Sequence, residues 1–222
     1  MAQVNESIEN AGRDRILARI RSGLRVPAPK HTARATSANG GVIFAAIVDP
    51  LARFCQECAL NKTECLLTSD LGASAAAVAE VLASIPTGEI FVQDAPALRR
   101  MAALWQERAI RWSSEGGPAE TSQATITRAE TLVARTGSVV VSSGCGGRGA
   151  SIVAPVHIVV ATMDQLVPGL DEAFARLRAS GAVEKNSMLC LITGSSRTAD
   201  IEKIIVMGAH GPRRVVVVLA TG

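Results

Sequence analysis

The sequence contains no tyrosine, and aromatic residues make up only 3% of its 222 residues. Aromatic platforms for stacking single-stranded nucleic acid are therefore not expected. The net charge is +3, from 23 basic and 20 acidic residues, which is too small an excess to predict nucleic-acid binding. No apolar run reaches the roughly 18 residues needed to span a bilayer. We therefore expect neither a nucleic-acid partner nor a membrane span.

A secretory signal is also not expected. The first 25 residues are charged and lack the apolar stretch of a secretory leader. The five cysteines are odd in number, so reduced thiols and a cytoplasmic location are expected. Hydrophobic residues, at 48% of the chain, are numerous enough to build a sizeable core.

Motifs of several enzyme classes are absent. The three histidines, His31, His157 and His210, are widely spaced and form no H-E-x-x-H pattern, so a zinc hydrolase is not supported. No G-x-S-x-G elbow is present, so an α/β-hydrolase is not supported either. The glycine-rich segment 144–149 matches neither a Walker loop nor G-x-G-x-x-G.

What is present is an alternation of strands and helices. Residues 5–23 predict a helix, because apolar residues recur at spacings of three to five. Val26–Gly41, which contains two prolines and ends in two glycines, predicts a linker. We therefore expect residues 1–40 to form an N-terminal helix and linker, and residues 41–222 to form one α/β domain.

The domain begins with an apolar run, Val42–Val48, interpreted as a strand. Asp49 as N-cap, with Pro50 at the first helical position, then predicts a helix to about Leu60. Further strands are predicted at Glu64–Thr68, Glu89–Gln93, Ser138–Ser142, Val156–Ala161, Met188–Thr193 and Arg214–Ala220. Further helices are predicted at Ser74–Ser84, Ala95–Trp105, Ala129–Ala134, Pro168–Ala179 and Thr198–Met207.

Three of these strands are apolar on both faces, namely those containing Val139–Val141, Ile158–Val160 and Val215–Leu219. Such strands are typical of a central, mostly parallel sheet with helices on both sides. The predicted fold is a three-layer α/β/α domain with a mainly parallel sheet, preceded by a helical arm.

Three cysteines, Cys55, Cys58 and Cys65, lie close together in the sequence. Metal sites need thiolates that converge from turns, whereas Cys55 and Cys58 fall within a predicted helix and Cys65 begins a predicted strand. Free cysteine often packs as a small hydrophobe. We favour core packing and expect no metal, with redox or metal use as the alternative.

Two glycine-containing segments are candidate binding sites. The loop Gly144–Gly149 follows a predicted strand, and Arg148 there can contact an anion; a connecting loop without a ligand is the alternative. The turn from Thr193 also follows a strand and precedes the predicted helix at Thr198, whose N-terminus suits phosphate or carboxylate. Ser196 or Thr198 acting only as an N-cap is the alternative there.

The same residues carry a family resemblance. The segment Ile192–Leu219 resembles the C-terminal signature of LUD-domain proteins, specifically the lactate-utilisation protein C group. Two further blocks agree: Ile126–Ser138, with its T-G-S turn, and Arg148–Ile158, with its R-x-x-S and P-x-H-I residues. The signature residues in the C-terminal segment are Ser195 or Ser196, Thr198, Asp200, Ile201, Glu202, Gly208, His210, Gly211 and Pro212.

The resemblance implies a fold like that of the sugar-phosphate isomerase and CoA-transferase superfamily. It also implies a role in oxidising L-lactate to pyruvate beside iron–sulfur partner proteins, which would hold the clusters, so no cofactor is expected on this chain. The predicted ligand-binding residues, for a small anionic metabolite, are Arg148, Gly194, Ser195, Ser196, Thr198, Asp200 and His210. We expect the 144–149 loop and the Gly194–Asp200 turn to meet in one cleft.

Other functions stay open. One is a stand-alone enzyme acting on a phosphorylated, carboxylated or CoA-linked metabolite. Another is a small regulator that uses Cys55, Cys58 and Cys65 for redox chemistry or metal binding. The sequence identifies no catalytic residue, so whether the chain itself is catalytic is undecided at this point.

Overall fold

The computed structural model describes residues 2–25, 44–105, 107–117, 119–198, 206–207 and 211–222. It divides the chain into two units, Met1–Ala45 and Ala46–Gly222. Helix α1 (Ala2–Leu24) lies in the first unit and confirms the helix predicted at 5–23. The predicted linker, and the domain boundary within it, lie outside the described residues. Among those described, no helix combines the length and apolarity needed to cross a membrane.

The second unit contains five α-helices and twelve strands among its described residues. The helices are α2 (Pro50–Leu60), α3 (Leu71–Ala83), α4 (Pro96–Met101), α5 (Leu170–Ala179) and α6 (Ala182–Lys185). The strands are β1 (Thr63–Thr68), β2 (Ile90–Val92), β3 (Ile110–Trp112), β4 (Ala124–Arg128), β5 (Thr131–Val133), β6 (Ser138–Ser142), β7 (Val156–Thr162), β8 (Leu166–Val167), β9 (Leu189–Ile192), β10 (Arg197–Thr198), β11 (Val206–Met207) and β12 (Arg214–Ala220).

Six strands form a parallel sheet in the order β1-β12-β7-β4-β2-β3. Because all six run the same way, they begin at one edge of the sheet and end at the other. The edge where they begin is called the amino edge, and the edge where they end the carboxyl edge. The central strands β7 and β12 are almost entirely buried, as their apolar sequences predict.

Helices cover both faces of this sheet. On one face α3 and α4 pack side chains such as Val78 and Leu98 against Ile126 and Ile158. On the other face Phe54, from α2, packs with residues of β7 and β12. The arrangement confirms the predicted three-layer α/β/α fold with a mainly parallel sheet.

Local capping explains where α2 begins. Asp49 has extended backbone angles, and its carboxylate accepts a hydrogen bond from the Ala52 amide at 3.0 Å. Pro50 follows at the first helical position, where its missing N–H costs no hydrogen bond. The predicted start of this helix is therefore confirmed.

A second, four-stranded sheet shares the α2 face. Its order is β8-β5-β6-β9, and β6 runs antiparallel to both β5 and β9. Helices α5 and α6 cover its outer side, where Leu177 and Ala182 pack against Val140. The prediction that Val139–Val141 lies in the central parallel sheet is therefore wrong.

Three other element predictions are wrong. Ala129–Ala134 contains strand β5 rather than a helix, because Thr131–Val133 pairs with β6. In Val42–Val48, the described residues 44–48 form no strand, and Val48 is 99% exposed; β12, not this segment, lies beside β1. At the described ends of the predicted helix Thr198–Met207, β10 and β11 pair antiparallel.

Candidate functional site

Two strands of the central sheet bring polar side chains to the carboxyl edge. Arg128 is the last residue of β4, and Gln93 follows the neighbouring strand β2. The Gln93 amide oxygen accepts a hydrogen bond from the Arg128 backbone N–H at 2.7 Å, and its nitrogen donates to the Gly144 carbonyl at 3.5 Å. Gln93 therefore joins β4 to the glycine-rich loop that follows β6.

A pocket of about 240 Å³ opens at this point. Ligands of open parallel sheets bind beyond the carboxyl ends of the strands. The volume lies below the range typical of drug-sized ligands, which favours a small metabolite. The pocket is lined by Gln93, Arg128, Ala129, Glu130, Cys145, Gln165, Arg176 and Ser180.

The two arginines of this carboxyl-edge pocket differ in their contacts. Arg176 donates to the Asp164 backbone carbonyl at 2.6 Å and forms an ion pair with the Asp164 carboxylate at 3.3 Å. Within the described part of the chain, the Arg128 guanidinium has no hydrogen-bond or ion-pair partner. Arg128 is therefore the cation available to an anionic ligand.

Glu130 supplies the pocket's carboxylate. Its Oε1 accepts a hydrogen bond from the Ser142 hydroxyl at 2.6 Å and a weaker one from the Cys145 thiol at 3.7 Å. Burial raises the pKa of the Cys145 thiol. Because only the thiolate is a strong nucleophile, Cys145 packs and donates here and is not an activated cysteine.

The Gly144–Gly149 loop lies beside this pocket, as Cys145 in its lining shows. Gly146 and Gly147 both have positive φ, at 115° and 90°, which glycine adopts without steric cost. The exposed Arg148 donates through Nε to the Ser187 hydroxyl at 3.2 Å. Arg148 thus lies near the carboxyl edge, and its predicted contact with a ligand stays a prediction.

The Gly194 turn lies at the opposite end of the strands. Since β6 and β9 are antiparallel, the 144–149 loop after β6 and the turn after β9 leave the sheet at opposite ends. The Ser196 amide donates to the Pro212 carbonyl at 2.8 Å, just before β12 begins. The expectation that both segments meet in one cleft is therefore wrong.

The turn instead joins another predicted block, the T-G-S segment before β6. The hydroxyls of Thr136 and Ser138 are 2.7 Å apart, and those of Ser138 and Thr193 are also 2.7 Å apart. Ser195 is buried, and its hydroxyl has no partner among the residues described. The family-signature residues on either side of β6 and β9 thus cluster at the amino edge.

Three predicted site residues receive no side-chain description. Thr198 is the last residue of β10 and pairs with Val206 of β11, and the structure describes only its backbone. Asp200 and His210 lie outside the described residues. The predicted ligand-binding roles of these three, and of Gly194, Ser195 and Ser196, stay predictions.

Two of the three clustered cysteines, Cys58 and Cys65, belong to the apolar core between α2 and the central sheet. Cys55 and Cys58 lie on α2, and the sulfurs of Cys55 and Cys65 are 3.8 Å apart. Burial and the Cys65 thiol raise the pKa of Cys55 to about 11, which disfavours the thiolate. Within the described ranges, no group of three or more histidine, cysteine, aspartate or glutamate side chains is placed to hold a metal ion.

Sequence reasoning missed the pocket residues Gln93, Arg128, Glu130 and Arg176. For Arg128 and Glu130, the signal in the sequence is the alternation of threonine and apolar residues that ends at Arg128. This alternation predicts a strand. Because a helix is predicted from Ala129 onward, the end of this strand is not recognised from the sequence. Placing β4 correctly would have put Arg128 at the carboxyl edge.

Comparisons with known proteins agree with this architecture. Residues 118–220 match the family model of the LUD domain, which confirms the resemblance drawn from the sequence. A lactate utilization protein C from Geobacillus sp. (strain WCH70) is 33% identical over 108 residues, covering 46% of this chain and 44% of the relative. The protein of that name from Bacillus subtilis (strain 168) is 31% identical over 128 residues, covering 50% and 53%.

The chain spans about half the length of the curated relatives it matches. A solved structure is similar to this chain over a larger share of the chain's length. The crystal structure of a DUF162-family protein from Deinococcus radiodurans superposes with a TM-score of 0.61 and 20% identity, covering 78% of this chain and 96% of that one. At 20% sequence identity, this structural similarity supports the fold alone.

Proposed function

Residues 118–220 of this chain match the family model of the LUD domain, and on this premise we propose that the chain is a component of an L-lactate oxidation system. In this proposal it binds a small carboxylate in the carboxyl-edge pocket and acts with iron–sulfur partner proteins. The relatives that share the match are named for lactate utilization. Lactate and pyruvate are both small monocarboxylates, so one type of anion site serves substrate and product.

Arg128 is the observation that carries the ligand part of the proposal. Arg128 lines a small pocket, and its guanidinium has no partner among the described residues. Guanidinium binds a carboxylate through two parallel hydrogen bonds. The position, beyond the carboxyl ends of β2 and β4, is where open α/β sheets bind ligands.

The partner part of the proposal follows from the chemistry of the reaction. Oxidation of lactate to pyruvate releases two electrons and two protons, so an electron acceptor is required. We assign that role to the iron–sulfur clusters of the partner proteins. The alternative of a stand-alone enzyme is also compatible with Arg128, because a guanidinium binds either a carboxylate or a phosphate through two hydrogen bonds.

Co-purification tests the partner role. The full chain, carrying an affinity tag, is expressed in its native host grown on L-lactate. We expect iron-containing proteins to co-purify and the eluate to reduce an artificial electron acceptor when L-lactate is added. Turnover of L-lactate by the chain alone would favour the stand-alone enzyme, and elution without any iron-containing protein would contradict the proposal.

Titration calorimetry tests the ligand site. Arg128→Gln is expected to weaken L-lactate binding by roughly 1.5–3 kcal/mol, the typical worth of a hydrogen bond to a charged group. Arg148→Gln is the matched control, because Arg148 is exposed and already donates to Ser187. A loss of affinity in Arg148→Gln but not in Arg128→Gln would move the anion site to the glycine-rich loop.

A further inference from the structure

Arg128 and Glu130 line one pocket without pairing with each other. They are two residues apart where the chain passes from β4 into β5, and the amides of Ala129 and Glu130 donate to Val160 and Val140. Glu130 lies at a bend between these two strands, and both residues line the same pocket. No ion pair joins the two among the described residues.

Glu130 has one oxygen left for a ligand. Its Oε1 is held by the Ser142 and Cys145 side chains, whereas Oε2 has no hydrogen-bond partner in the described part of the chain. A carboxylate can only accept hydrogen bonds. The pocket therefore presents one cation that needs an acceptor and, close by, one carboxylate oxygen that needs a donor.

The other polar groups of the lining already have partners. The Gln165 amide nitrogen donates to the Ala129 carbonyl, and its oxygen accepts from the Thr162 amide at 2.9 Å. Gln93 bridges Arg128 and Gly144, and Arg176 is bound to Asp164. This leaves Arg128 and Glu130 as the pair that selects the ligand.

We infer that the pocket is specific for 2-hydroxycarboxylates and that Glu130 is the residue that sets this specificity. The inference rests on the proposed function and goes further, since it predicts which of two similar acids is preferred. The ligand carboxylate binds Arg128, and the hydroxyl on the adjacent carbon donates to Glu130 Oε2.

A 2-oxo acid lacks that donor. Its keto oxygen would face the Glu130 carboxylate, so two acceptors would meet and the hydrogen bond would be lost. Glu130 is half-buried, and a polar group of a binding site that is left without its partner discriminates between such analogues. The same contact that holds the hydroxy acid therefore favours release of the oxidised product.

The test compares the binding of L-lactate, pyruvate and propionate to the full chain by calorimetry, with L-alanine as a further probe. The wild-type protein should prefer L-lactate over pyruvate by about tenfold or more, as expected for a hydrogen bond to a charged group. Glu130→Gln keeps the size of the side chain but can both donate and accept, so the preference should fall to less than about threefold. Arg128→Gln should weaken all three acids alike, with thermal unfolding confirming that both variants fold.

Each other outcome is decisive. A lactate preference that survives in Glu130→Gln, or equal wild-type binding of lactate and pyruvate, overturns this inference and leaves the carboxylate site standing. Wild-type protein that binds none of the acids overturns both this inference and the proposed ligand. L-alanine binding tighter than L-lactate would show that an ammonium is preferred and would overturn the assignment to hydroxy acids.

Discussion

At the scale of single residues, His157 is the buried titratable group with the clearest consequence. It lies on β7 with no exposed surface, and its Nε2 is 2.9 Å from the Thr127 hydroxyl. Its Nδ1 has no partner among the described residues. Burial disfavours the charged imidazolium and lowers the pKa of His157 to about 4.

This burial predicts a loss of stability in acid. A histidine in an unfolded chain has a pKa of about 6.5, whereas the folded-state pKa of His157 is about 4. At pH values between these two pKa values, the unfolded chain binds a proton that the folded protein does not. The folded protein therefore has its full stability above the unfolded-state pKa of the histidine. It loses stability as the pH falls from the unfolded-state pKa towards the folded-state pKa. In urea unfolding, the wild-type protein should lose roughly 2–3 kcal/mol more than His157→Gln between about pH 7.5 and 4.5. Identical losses would contradict the assignment.

Gly194 is a second residue with a testable requirement. Its φ is +96°, and a Cβ at this position would overlap the Asn61 carbonyl oxygen. Gly147 is a matched control, since its φ is +90° but a Cβ added there would meet no atom within 4 Å. Gly147→Ala should cost about 1–2 kcal/mol for the left-handed backbone, and Gly194→Ala about 1–3 kcal/mol more for the clash. Equal costs in thermal unfolding would show that Asn61 moves away freely.

At the scale of elements, α2 depends on its N-cap. Asp49 accepts a hydrogen bond from the Ala52 amide, one of the helix amides that lack a partner within the helix. Asp49→Ala should cost about 0.5–2 kcal/mol in chemical unfolding. Asp49→Asn, which caps nearly as well, should cost much less. A similar loss in both variants would indicate that the charge of Asp49, not its cap, matters.

The elements that could be predicted are those whose signals are local. Asp49-Pro50 marks the start of α2, and the apolar run in Arg214–Ala220 marks β12. Strand β4 was missed because Thr125 and Thr127 look polar, although both are fully buried between neighbouring strands. Residues 129–134 favour a helix by composition, and only the pairing of β5 with β6 makes them extended. These outcomes depend on tertiary contacts that no local pattern records.

At the scale of the whole molecule, the site was only partly predictable for the same reason. The glycine-rich loop follows β6, which lies outside the parallel sheet, and yet its Cys145 lines the carboxyl-edge pocket. The antiparallel pairing of β6 with β9 was not foreseen, and it carries the Gly194 turn to the other end. Arg128 and Glu130 could not be assigned while β4 and β5 were misread. Knowing the sheet order is therefore necessary to know which loops share a site.

The two edges of the central sheet are predicted to be functionally independent. Strand β7 has seven residues, so at about 3.3 Å per residue the edges are roughly 20 Å apart. Substitutions at such a distance act independently. Ser195→Ala, at the amino edge, should therefore leave L-lactate affinity unchanged, whereas Arg128→Gln, at the carboxyl edge, weakens it.

Stability measurements on Ser195→Ala distinguish a contribution of the Ser195 hydroxyl to folding from a contribution to ligand binding. Its hydroxyl is buried and has no partner among the described residues, so removing it should be close to neutral for folding. Ser138→Ala is the matched control, because the Ser138 hydroxyl contacts Thr136 and Thr193 and its loss should cost about 1 kcal/mol. If Ser195→Ala instead weakens L-lactate binding by roughly 0.5–1.5 kcal/mol while the protein stays as stable as wild type, the ligand lies at the amino edge. The signature residues around Gly194 would then form the binding site, and the carboxyl-edge pocket would not.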